Sequence, residues 1–263
     1  MRKAIASVIS AQRINMKEEL SDKVKIINYP FTSDSWLSPA VEDKNYNRAY
    51  SDSADGGEIY NDDMSDEERN MATVEAAQKY LEKAGYKFDE NGVIESVPEK
   101  ASKTYRIMIE NGRKNMLYPM VKKSSELLEK LGIELKIVSV SKKQMMCKKT
   151  IKNAQLWCAK TDTSYGFRLS RKYISQKSMF GMKMPMFSAY LKKTDETVRA
   201  ERKKKTYRKA FNTILEQAVE VPICQKQRII MFSASRIKMD TMTKDTTTYY
   251  DWINEIQNVE MKE

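Results

Sequence analysis

Apolar residues recur along this chain with two different periods, which sort it into alternating helical and extended segments. At the start, Ile5, Val8 and Ile9 share one stripe at helical spacing, so the first ten residues read as an amphipathic helix. No capping residue precedes it, so the chain reads as opening inside an element. Periodicity is then lost over 28–64, where Pro, Asn, Asp and Gly accumulate and a loop-like stretch is expected. Ser65-Asp-Glu-Glu68 is a capping box, in which the Ser and Glu side chains each satisfy a free N–H of the first turn. The helix it opens should turn Met71, Val74, Ala77 and Leu81 inward and stop at Gly85.

Further on, Tyr105, Ile107 and Ile109 alternate with Thr104, Arg106 and Met108, a strand pattern. Pro119 suits the first turn of a helix whose apolar face is Val121, Leu127, Leu128 and Leu131, with Gly132 at its end. A second strand follows over 133–140. Strand, helix and strand within some forty residues form a βαβ unit, hence a parallel pair joined by a right-handed crossover. Gln155–Ala159 reads as a short strand, and periodicity is poor elsewhere in 141–200. A helix returns over 201–219 with Phe211, Ile214, Leu215, Ala218 and Val219 inward, is ended by Pro222, and is followed by a strand at 229–232. The architecture is α/β.

Composition removes whole classes of chemistry. The 263 residues include no histidine, which excludes His-based triads and His-ligated metal sites. Cys147, Cys158 and Cys224 form no C-x-x-C, and their odd number argues against a disulfide framework. The glycines make no phosphate-cradling motif. Carboxylates are plentiful, but none is singled out as half of a catalytic pair, and a non-enzymatic protein is expected. Asn61-Asp62-Asp63 lacks the spacing of a calcium loop and reads as a solvated turn. Met179, Met182, Met184 and Met186 have a spacing that suits a soft metal ion, but with no His or Cys nearby they read as adaptable filler.

Charge adds a further constraint. The net of +11 (47 Lys+Arg, 36 Asp+Glu) is not spread evenly. Residues 101–209 carry 28 basic and 8 acidic side chains, while both flanks are net acidic. The block ends in a basic run, 199–209. Such a run could contact nucleic acid, but Tyr207 is its one aromatic, and a solvated helix face explains it more simply. No stretch approaches the roughly 20 apolar residues of a membrane span. The N-terminal residues show neither a long apolar export region nor a small-residue cleavage site.

Several stretches together resemble one family. Arg2-Lys-Ala-Ile-Ala-Ser-Val-Ile-Ser-Ala-Gln-Arg-Ile14, Tyr29-Pro-Phe-Thr-Ser-Asp-Ser-Trp36, and Ala76-Ala-Gln-Lys-Tyr-Leu-Glu-Lys-Ala-Gly-Tyr86 with Phe88-Asp-Glu-Asn-Gly92 are similar to segments of family 5 extracytoplasmic solute-binding proteins. Tyr207-Arg-Lys-Ala210, Ala218-Val-Glu-Val-Pro222, Arg236–Thr241 and Tyr249–Trp252 continue the resemblance in the same order. These are the oligopeptide-binding components of ABC importers, and the likeness is to their C-terminal half. It implies a periplasmic-binding-protein-like lobe of the type II, clamp kind, with mixed sheet and flanking helices. Residues 1–224 would be lobe II, and 225–263 a return segment that would complete lobe I, itself not among these residues. The implied partners are a peptide ligand, an ABC permease and a lobe I or another chain to complete the clamp, with no cofactor; the alternative reading is a basic nucleic-acid- or anion-binding adaptor, or a non-functional remnant. The implied location is extracytoplasmic, or cytoplasmic if the chain is made as written without an export signal.

The resemblance also implies a ligand site. Relatives carry a Trp-rich stretch ending in an acidic pair that meets a ligand amino group. Here the aligned run is Trp157–Arg168, with Thr161 in place of the second Trp and Gly166-Phe167-Arg168 in place of the acidic pair. The local charge therefore reverses. Three outcomes stay open: Asp162 and Tyr165 compensate, the site prefers a carboxylate, or it is lost; Arg168 is counted with them among the candidate ligand residues. Trp36 and Trp157 either line the cleft or serve packing. Tyr249, Tyr250 and Trp252 would pack against lobe I, and form an exposed apolar patch without it.

Overall fold

The computed structural model describes residues 1–15, 24–33, 35–40, 48–61, 63–147, 153–161, 168–174, 180, 185–226, 231–243 and 252–262. The first helix, α1 (Arg2–Asn15), is not amphipathic: every residue from Ala4 to Arg13 is buried. Small residues explain this. Ala6, Ser7, Ser10 and Ala11 let neighbours approach on the faces away from Ile5 and Val8, and both hydroxyls find backbone acceptors. Ser7 Oγ donates to the Ala4 carbonyl at 3.0 Å, and Ser10 Oγ to that of Ala49.

After β1 (Val24–Ile26) and a stretch of turns, α2 (Asp66–Lys83) begins at the expected capping box. Ser65 Oγ accepts the Glu68 N–H at 3.3 Å and the Glu68 carboxylate accepts the Ser65 N–H at 2.8 Å. Gly85, at φ +88°, takes the left-handed position just past its end. Ala77 and Leu81 are buried and Val74 is half-buried, but Met71 is exposed. The inner face is set by Arg69, Thr73 and Ala76, and at 100° per residue Met71 lies roughly 160° round the helix from Thr73.

A short antiparallel pair, β2 (Lys87–Phe88) and β3 (Ile94–Ser96), leads into the βαβ unit. Its parts are β4 (Thr104–Glu110), α3 (Tyr118–Glu129) and β5 (Glu134–Val140), and β4 and β5 are parallel in register from Thr104↔Glu134 to Glu110↔Val140. A single helical turn, α4 (Lys142–Met145), precedes β6 (Leu156–Cys158). This strand, expected at 155–159, lies parallel to β4 on its other side, so the sheet order is β5-β4-β6. Next come α5 (Leu169–Tyr173), α6 (Pro185–Glu196) and α7 (Ala200–Glu216). The last helix ends before Pro222, because Ala218 turns to φ +46°. Then β7 (Cys224–Lys226) pairs antiparallel with β1. The strand expected at 229–232 lies partly outside the described residues, and Met231 and Phe232 are not in a strand.

The main core fills the space between this sheet and α1, α2 and α3, and includes Ile5, Val8, Leu81, Ile107, Ile109 and Leu128. A second core joins the 29–37 turn to α5, α6 and α7 through Tyr29, Leu37, Leu169, Tyr173, Phe187 and Phe211. A buried arginine and a half-buried glutamate lie where the pieces meet. Arg13, only 1% exposed, donates to the carbonyls of Ile27, Ala49 and Pro222 and to Asn28 Oδ1. The Glu220 carboxylate accepts from Lys172 Nζ at 2.7 Å and from the Tyr173 hydroxyl at 2.8 Å, while the Glu220 carbonyl accepts from Tyr50. Beyond β7 the described tail is mostly exposed. It is held by a bridge between Ile237 and Met261 and by the edge-to-face pair Phe232–Trp252 at 5.5 Å.

Candidate functional site

Parallel strands leave their carboxyl ends side by side, and in open α/β sheets ligands bind in the crevice beyond those ends. Here the ends are Glu110, Val140 and Cys158, on neighbouring strands roughly 5 Å apart. The chain leaves β4 through Asn111, in the left-handed region at φ +61°, and a tight turn over Gly112–Lys114. That turn is held against β5: the Asn111 N–H donates to the Val140 carbonyl at 3.0 Å. Gly112, at φ +50°, sits so close to β5 that a Cβ there would lie 2.6 Å from Ser139 Oγ. Beyond β5, Ser141 caps α4 by accepting the Gln144 N–H at 3.3 Å.

The result is a fixed, strongly basic rim. Arg113 and Lys114 follow β4, Lys142 and Lys143 follow β5, and Lys160 follows β6, and all five are exposed. Among the described residues, Glu110 is the acid at these strand ends. Exposed cations gathered on a held backbone turn suit a ligand carboxylate or other anion, and they oppose an ammonium group.

The five residues singled out from the sequence fare differently. Trp157, on β6, is half-buried and points to the face of the sheet away from the main core. It packs with Met108, Val140 and Met145, and its ring lies 5.9 Å from Phe180. Phe180 in turn packs on Tyr173 at 4.8 Å, so an aromatic chain joins β6 to α5. Arg168 is exposed at the start of α5. Trp36 is 56% exposed and stacks on no other ring among the described residues, although its neighbour Leu37 enters the second core. Asp162 and Tyr165 lie outside the described residues. So do Asp62, Met179, Met182, Met184, Tyr249 and Tyr250. The structure thus ties Trp157 and the helix behind Arg168 together and leaves Trp36 apart from them.

Sequence reasoning missed the rim at 111–114 and 141–143, although the βαβ unit that positions it was read correctly. Carrying the rule for strand carboxyl ends one step further would have found it. Two of the three cysteines are held as thiols. Burial, and then the neighbouring Cys224, pushes the Cys158 thiol up to about 11, and burial raises Cys224 as well, so both stay protonated at neutral pH. No group of metal-ligating side chains comes together among the described residues. No helix among the described residues is long and apolar enough to cross a membrane.

This arrangement, a parallel sheet flanked by helices with small antiparallel pairs beside it, is the α/β fold of the type II periplasmic-binding-protein-like class. The sequence matches no protein-family model and no curated protein. Among solved structures the chain is similar to the oligopeptide-binding protein AppA from Bacillus subtilis, in complex with a nonapeptide, at 14% identity and a TM-score of 0.61. It is also similar to NikZ from Campylobacter jejuni in complex with Ni(L-His), at 16% identity and 0.60. The Escherichia coli murein tripeptide binding protein MppA is a third, at 14% and 0.58. In each case 85% of this chain is covered, but only 41%, 41% and 39% of the other, so the chain spans about two fifths of their length. The segments that resemble solute-binding proteins in the sequence thus lie in a chain whose fold is similar to these solved structures.

Proposed function

We propose that this chain is a solute-binding lobe of the oligopeptide-binding type, non-enzymatic and extracytoplasmic, that serves an ABC permease. In this reading residues 1–224 form lobe II and 225–263 return toward a lobe I, carried by the same polypeptide or another. What supports a one-lobe reading is coverage, since the chain spans well under half of each similar solved structure. The observation that carries the site is the rim of Arg113, Lys114, Lys142, Lys143 and Lys160 at the carboxyl ends of β4, β5 and β6. It favours a peptide-like ligand held by its free carboxylate, with Arg168 and Trp157 on the flank. The sequence change at 166–168 supports the same polarity, because it replaces an amine-attracting pair with a cation.

A clamp closes because its ligand touches both lobes, and the closed state is favoured only by that differential contact. One lobe offers half of it. Weak binding by this chain alone is therefore expected. Calorimetry of the 263-residue chain against a mixed peptide pool checks this: no heat at micromolar concentrations agrees with the half-clamp reading, and micromolar or tighter binding refutes it.

A further inference from the structure

The basic run that closes the central block plays no part in the ligand rim, and it has a structure of its own. Its helix α7 packs against α6, and the two meet at a short turn over 197–199. The exposed cations here are Lys192 and Lys193 at the end of α6, Arg199 in the turn, and Arg202, Lys205 and Lys209 along α7. None of the six is in an ion pair among the described residues. At 100° per residue Arg202, Lys205 and Lys209 fall within about 60° of one another, so they form a stripe. Lys193, Arg199 and Arg202 also line a cavity of about 290 Å³ at the turn, with Glu196 as its acid.

Apolar side chains stand on the same surface. Val198, in the turn, is 88% exposed, and Met186 is 85% exposed. Met186 and Lys193 are two helical turns apart, hence on one face of α6. Cations alternating with exposed aliphatic groups match an anionic interface that has an apolar layer beneath its charges. A nucleic acid would use the cations but has nothing for Val198 and Met186, and it would want exposed aromatics to stack on. Tyr207, the aromatic of the basic run, is buried in the second core.

We propose that the α6–α7 face docks this protein onto an anionic phospholipid surface, with headgroup phosphates met by Lys193, Arg199 and Arg202 and with Val198 entering the acyl boundary. The contact is separate from the ligand rim and stands whether or not that rim binds peptide. Each cation close to an anionic bilayer strengthens partitioning by about fivefold. The test is co-sedimentation of the 263-residue chain with vesicles of phosphatidylcholine alone or mixed with phosphatidylglycerol, with duplex DNA as competitor. Binding to the mixed vesicles only is expected. It should fall by at least about a hundredfold in the triple variant Arg199→Glu, Arg202→Glu, Lys205→Glu, and fall measurably in Val198→Asp. Lys122→Glu with Lys123→Glu, on α3, should leave binding within about fivefold, and thermal melts confirm that each variant is folded. Three results overturn the proposal: equal binding to both vesicle types, equal loss in the α3 control, or displacement by DNA with Val198→Asp silent.

Discussion

Glu220 offers a direct test of how the candidate site is held in place. Its carboxylate accepts from Lys172 and Tyr173, the last turn of α5, whose other end carries Arg168 and whose Tyr173 is joined to β6 through Phe180 and Trp157. Lys172 is 7% exposed and Glu220 18%, so the pair is largely out of water. Glu220→Gln keeps the shape and an acceptor for Tyr173 but removes the charge that compensates the ammonium. Removing one member of such a pair costs about 3 kcal/mol, the low end for fully buried pairs because Glu220 keeps some solvent. For a chain of this length that is a fall of roughly 6 °C in Tm. Lys172→Met should cost a similar amount. The double variant should be about 2 kcal/mol more stable than the sum of the two losses implies, because neither charge is then left behind. Urea unfolding followed by circular dichroism, read with m unchanged, provides the cycle. Losses that add to within about 0.5 kcal/mol would show that the pair is not coupled and that α5 is held by the second core alone.

Other outcomes follow from single contacts. Gly112→Ala forces a Cβ to within 2.6 Å of Ser139 Oγ at a positive φ, so it should cost about 1–3 kcal/mol in the same assay, and a neutral result would mean that the rim turn is not fixed. Arg13→Leu strands four acceptors inside the protein and should cost at least about 3 kcal/mol, with Arg13→Lys recovering part of it. Burial, then the Glu220 charge, raises the phenols of Tyr50 and Tyr173 above their ordinary 10.0. A raised pKa stabilises fully below the unfolded value and is lost as pH climbs past it. Unfolding free energy should therefore decline above about pH 10, less steeply in Tyr173→Phe. Among the three thiols, the exposed Cys147 should react with a maleimide in the native state, and Cys158 and Cys224 mainly on unfolding.

Where local chemistry decides an element, the sequence was a sound guide. The Ser65 capping box, the Gly85 and Gly132 stops and the βαβ unit all stand where their residues put them, because each depends on neighbours a few positions away. The misreadings have a common cause in tertiary contact. Helix α1 is enclosed from every side, so a stripe of Ile5, Val8 and Ile9 understates its burial, and Arg13 ends up inside because four acceptors from distant segments converge on it. Met71 faces water because the inner face of α2 is set by Thr73 and Ala76. The site was half legible. Trp157 and Arg168 are candidates from the order of motifs alone, while Arg113, Lys114, Lys142 and Lys143 become a group only when two strands end side by side. Among the described residues of the tail beyond β7, Ile237 bridges to Met261, and Ile253 and Ile256 are exposed.

The measurement closest to the central claim is an NMR titration of the labelled 263-residue chain with one short peptide in two forms, free acid and C-terminal amide. Weak, fast-exchange binding of the free acid should shift the amides of Asn111–Asn115, Ser141–Lys143 and Ala159–Thr161 together, and Arg113→Ala with Lys114→Ala should abolish those shifts. The amide form should shift them little. Equal shifts from both forms, or shifts that avoid the carboxyl ends of β4, β5 and β6, would contradict the account.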